Sequence, residues 1–158
     1  MNRIWREYLN EQKYNECQLV TALNAYYYLT GKTIKQDSKR YEELVDLAAA
    51  RYGSAITIDR VFDKLGLVII KESNNLFNFE RKNKVLLPLE YNVWHKKYGF
   101  HSTLIVDHEP KSDAVRITNF KHETTLDGWL FREDLYKFAM RVHFRKTYRL
   151  FGLKGENK

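Results

Sequence analysis

Apolar residues in this chain change their spacing near its middle. Up to residue 65 they recur at helical intervals, and from residue 67 onward they fall in short β-branched or alternating runs. Ile4, Trp5, Tyr8 and Leu9 predict a short opening helix. Leu19, Val20, Leu23, Tyr26 and Tyr27, with the small Ala22 and Ala25, predict a buried helix over 16–29 that ends at Gly31. Asp37 or Ser38 is placed to cap the next helix, whose inner side is Tyr41, Leu44, Val45, Ala48 and Ala49 and whose stop is Gly53. Thr57 is the expected cap of a shorter helix carrying Ile58, Val61, Phe62 and Leu65 and terminated by Gly66.

The second half reads as strands. A short one is expected over 67–70 and a longer one over 85–93. Residues 102–107 and 114–120 form a natural hairpin around the turn-favouring Glu109, Pro110, Lys111, Ser112 and Asp113. A turn and one short helix are expected over 129–138, with Leu130, Leu135 and Phe138 inward, and a final long strand over 139–151. Helices first and antiparallel strands second predict an α+β fold, N-terminal helices packed against a C-terminal antiparallel sheet, rather than a βαβ repeat.

The chain has 158 residues, 44% of them hydrophobic and 15% aromatic, which suits a single domain over 1–151 followed by a flexible polar tail at 152–158. No apolar run approaches the roughly 18–20 residues that span a bilayer, and the N-terminal residues lack the pattern of a secretory signal. A membrane partner is therefore not expected, and a cytoplasmic setting, bacterial or that of an infected host, is. One cysteine forms no internal disulfide, in keeping with a reducing compartment.

The formal charge of +7 raises nucleic acid as a partner, but its distribution weighs against it. Basic residues are spread along the chain and interleaved with acids, as at Lys39, Arg40, Glu42 and Glu43. The densest basic stretch, 141–149, mixes Arg141, Arg145, Lys146 and Arg149 with aromatics and fits a solvated sheet face. Were nucleic acid the partner, affinity would fall steeply with salt.

Candidate chemistry rests on three residues in order. Cys17 stands at the start of the buried helix, where exposed N–H groups favour a thiolate. Glu16 beside it opposes that effect if its carboxylate points inward. His101 opens the apolar run Ser102-Thr103-Leu104-Ile105-Val106, so its ring can face a cleft while the strand anchors its backbone. Asn119 closes the following strand, where its side-chain carbonyl can accept the imidazole N–H and fix the tautomer. Asp107 and Asp113 are substitutes for that role, each at the far end of its strand. The N–H of Cys17 and the side chain of Gln12 are candidate donors to an oxyanion. His95, His108, His122 and His143 match no zinc spacing, so neither metal nor cofactor is implied. Each of the three also has a plainer reading: a small buried thiol, an edge histidine, a strand-end turn former.

The segments Gln12-Lys13-Tyr14-Asn15-Glu16-Cys17-Gln18-Leu19, Gly99-Phe100-His101-Ser102-Thr103 and Val115-Arg116-Ile117-Thr118-Asn119-Phe120 resemble the papain-like cysteine peptidase superfamily. Within it the chain looks most like the compact branch of bacteriocin leader peptidases and related bacterial or phage domains. The segment from Thr57 to the Leu65-Gly66-Leu67 turn resembles that branch as well. The resemblance implies a catalytic Cys17, a base His101, an orienting Asn119 and an oxyanion donor Gln12. Two departures stand out. Gln18 follows the cysteine where the family often has Gly or Trp, and Gln12 lies five residues before it rather than six, with Glu11 in the expected place. The expected function is a peptidase or amidase acting through a thioester on a peptide or protein substrate. The competing expectation is a papain-like domain without turnover, serving as adaptor, inhibitor or virion component through its aromatic and basic surface.

Overall fold

A computed structural model describes residues 17–36, 38–49, 55–95, 99–119, 127–138 and 147–155. The expected opening helix and Gln12 lie outside the described residues, as do Glu16, Gly53, His122 and His143. Among the described residues the fold is α+β, with helices α1 (Cys17–Thr30), α2 (Lys39–Ala49) and α3 (Ala55–Lys64) preceding the strands.

Local chemistry sets the helix ends. Gly31 leaves α1 in the left-handed region at φ +75°, and its N–H closes the last turn on the Tyr27 carbonyl at 2.8 Å. Of the two expected caps for α2, Asp37 lies outside the described residues, and Ser38 caps the helix, its Oγ accepting the Tyr41 N–H at 3.2 Å. Thr57 does not cap α3, which starts two residues earlier at Ala55. The first helical N–H groups lack intrahelical acceptors, so a polar residue in the first turn reads much like one at the cap. Gly66, at φ +73°, ends that helix as expected.

The strands are β1 (Leu67–Ser73), β2 (Glu80–Arg81), β3 (Lys84–Val85), β4 (Leu89–His95), β5 (Gly99–Glu109), β6 (Ala114–Ile117), β7 (Trp129–Phe131) and β8 (Thr147–Leu153). Six of them form an antiparallel sheet in the order β1-β8-β4-β5-β6-β7, and β2 and β3 form a separate hairpin. Several expected boundaries move. The strand foreseen over 85–93 is divided between β3 and β4, because Pro88 has no N–H for a ladder. Residues 129–131 pair with β6 as an edge strand before a 3-10 segment at Arg132–Phe138, where a turn and helix were expected. β8 is described from Thr147 and runs on through Leu153, so Gly152 and Leu153 pair with Val68 and Leu67 of β1 instead of beginning a tail.

Both faces of the sheet are covered. Leu104, Val106, Leu67 and Phe151 face the helices and pack with Leu19, Leu23, Tyr26, Tyr41, Leu44, Val61 and Phe62. Leu89, Tyr91, Val93, Ile105, Ile117 and Tyr148 face the other way, under the β2–β3 hairpin and the 3-10 segments, with Leu76, Phe79, Val85 and Leu135. The Tyr91 and Tyr148 rings stack at 4.9 Å there, and the Tyr91 hydroxyl donates to the Leu135 carbonyl at 2.8 Å.

His108 ties this second layer down. Its Nδ1 accepts the Val85 N–H at 3.2 Å, so Nε2 carries the proton and meets Asp113 Oδ1 at 2.9 Å. Asp113 in turn holds Arg132 at 3.1 Å. His108→Ala strands a buried backbone donor and is expected to cost about 1–3 kcal/mol, read as a lower urea midpoint with unchanged m-value. An unchanged midpoint would show that Val85 finds another acceptor.

Candidate functional site

Cys17 is the first described residue of α1 and is buried, at 7% exposure. Burial pushes its thiol above the ordinary range, and Glu90 adds to that; the backbone N–H groups of Ser102, Gln18 and Cys17 itself pull the other way without prevailing. The thiolate expected from the helix start is therefore not the resting form. The N–H groups are there, but desolvation outweighs them. Alkylation of native Cys17 is thus expected to rise only at a higher pH than alkylation of the same thiol in the urea-unfolded chain. Coincident pH profiles would mean that water reaches the sulfur in the native state.

The Ser102 N–H reaches the sulfur because of how β5 is paired. Alternate residues of a strand offer their N–H groups to the same edge. Pairing with β6 stops at Ile117, opposite Ile105. Beyond it the Leu104 N–H turns to Thr118 Oγ1, at 3.3 Å, and the N–H two residues back, on Ser102, is directed at Cys17. The thiol is thereby set against the residue that follows His101.

His101 and Asn119 are brought together. His101 Nε2 lies 2.6 Å from the main-chain oxygen of Asn119, not from the side-chain amide that was the expected partner. Asn119 sits at φ +54°, in the left-handed region that asparagine tolerates better than most residues. That conformation follows the end of β6 and presents the carbonyl to the imidazole. A carbonyl oxygen only accepts, so Nε2 must donate, and in the neutral ring Nδ1 then carries the lone pair. The tautomer is that of a base acting through Nδ1.

Under Cys17 lies a polar seam that the sequence pattern did not reveal. Thr21, one turn along α1, is fully buried and its Oγ1 lies 3.0 Å from Ser102 Oγ. Ser102 Oγ also donates to Glu90 Oε2 at 3.3 Å. Glu90 is fully buried in β4 and ion-paired through Oε1 with Arg149 of β8, whose guanidinium stacks over the Phe62 ring at 5.3 Å. One hydroxyl proton serves one acceptor, so Ser102 donates to the carboxylate and Thr21 donates to Ser102. Glu90 and Asn92 alternate with Leu89, Tyr91 and Val93 and read as a solvent face. Only the helices above the sheet make that face interior.

Arg149, the last cation of the basic stretch, is thus turned inward and does not belong to a solvated sheet face. Asp107 and Asp113 stand at the far end of the β5–β6 hairpin, and Asp113 is engaged with His108 and Arg132. Among the described residues no group of His, Cys, Asp and Glu side chains is arranged to hold a metal. No helix among them is long and apolar enough to cross a membrane. No protein-family model matches the chain, and comparison with curated proteins finds no match.

Proposed function

We propose that this chain is a thiol hydrolase of papain-like architecture, cleaving a peptide or other amide bond through a thioester on Cys17. The observation that carries the reading is the fixed Nε2–H tautomer of His101, on the strand whose next residue meets the Cys17 sulfur. His101 Nδ1 takes the thiol proton as the sulfur attacks the substrate carbonyl, and the carbonyl electron pair moves onto oxygen. The Cys17 N–H stabilises that charge, with Gln12 as the proposed second donor. Collapse expels the amine, which leaves with the proton from His101. Water, deprotonated by Nδ1, then hydrolyses the thioester. Because the resting thiol is neutral, proton transfer accompanies attack instead of preceding it. The cationic surface favours acidic peptides or proteins, and a cytoplasmic setting suits the single free thiol.

The second reading is a papain-like domain without turnover that binds a protein. The buried thiol supports it, as do the exposed Phe77 and Phe131, the former stacked by Arg132 at 4.9 Å. An activated acyl ester followed by intact mass decides between them. The hydrolase gives one acyl adduct, on Cys17, that disappears with time and is absent in Cys17→Ala. An adaptor gives no adduct.

A further inference from the structure

The mechanism above leaves the buried charges beneath the thiol without a role. We propose that Glu90 and Arg149 form a paired counter-charge that tunes the reactivity of Cys17, with Ser102 and Thr21 linking the pair to the nucleophile. Ser102 serves both sides of that link, its N–H on the Cys17 sulfur and its hydroxyl on Glu90 Oε2 at 3.3 Å. Thr21 joins the same hydroxyl at 3.0 Å from the helix that carries the thiol. A sulfur giving up its proton here acquires charge in a region without bulk water, where fixed charges act strongly. Glu90 opposes that charge and Arg149 offsets Glu90. Among the described residues, the other charged groups acting on Arg149 are Asp59 on α3 and Glu72 on β1. From β5 the Ser102 hydroxyl meets Glu90, and α1 contributes no charged side chain. This arrangement places the balance of the pair, and not either charge alone, in control of the thiol. Both are positioning residues, acting on the nucleophile without touching substrate, and the inference does not depend on His101 acting as the base.

The pH profile of Cys17 alkylation by iodoacetamide tests it, since the chain has a single cysteine. Glu90→Gln removes the opposing charge; Arg149 keeps its acidic neighbours and the Phe62 ring, so the fold is retained. Its profile is expected to move to lower pH, with several-fold faster labelling at neutral pH. Arg149→Gln leaves Glu90 uncompensated and is expected to move the profile to higher pH. The double variant Glu90→Gln/Arg149→Gln lies between them. A merely structural role predicts instead that every variant loosens the site and labels faster, the double variant most of all. If Arg149→Gln does not fold, the comparison of Glu90→Gln with the double variant decides alone. Labelling of the double variant as fast as that of Glu90→Gln, or profiles that superimpose on the wild type, would overturn the inference. The hydrolase reading fails separately, if His101→Ala leaves acylation of Cys17 unchanged.

Discussion

His101→Ala is expected to slow acylation of Cys17 by about 10²–10⁴-fold, the usual contribution of a positioned general base. The effect is large because the thiol is neutral at rest: burial opposes its ionisation, and the backbone donors around it do not restore a thiolate. Without an acceptor the sulfur must attack as a thiol or wait for solvent to remove its proton. The fold is expected to survive. The ring's partner is the carbonyl of half-buried Asn119, to which water can donate, so the cost is on the order of 1 kcal/mol. Release of nitrophenolate from an activated ester measures the rate, with Cys17→Ala as background and circular dichroism as the check on folding. Equal rates in His101→Ala and the wild type would remove the base from the mechanism and favour the adaptor.

Arg149→Met is expected to destabilise the protein by about 3–5 kcal/mol, the cost of breaking a buried ion pair from one side. Glu90 is fully buried, and among the described residues its carboxylate would retain the Ser102 hydroxyl alone. Arg149 is itself 14% exposed at the side chain, so little water screens the pair. Urea unfolding measures the loss, which is a large fraction of the roughly 5–15 kcal/mol that holds a typical domain together. Adding Glu90→Gln to Arg149→Met removes the uncompensated charge and is expected to recover part of the stability, so the two substitutions are strongly non-additive. A loss below about 1 kcal/mol would put the pair in the class of exposed salt bridges.

The way these residues were and were not foreseen follows from what a linear pattern records. Cys17 and His101 were legible because each opens a periodic segment, and an element's start is visible where apolar spacing begins. Asn119 was expected to close its strand but lies past it, since β6 ends at Ile117, and its contact with the imidazole was not legible: a carbonyl aimed by a left-handed backbone leaves no mark beyond the choice of asparagine. Glu90 is not legible as an interior charge, because alternation along β4 is the same whether the polar face meets water or a helix. The inward turn of Arg149 is equally illegible, since charge in sequence does not say which way a strand turns it.

The chain alone determined the order of helices before strands, the glycine stops at Gly31 and Gly66, a cap for α2 at Asp37 or Ser38, and the candidate set of a thiol, a histidine and an asparagine. Those depend on local chemistry: spacing of apolar residues, orphan N–H groups at helix ends, and the freedom of glycine. Tertiary structure decided that the sheet is covered on both faces, that Glu90 and Arg149 meet inside it, and that the thiol rests neutral. Those depend on which surfaces exclude water, and burial is set by segments far apart in the chain.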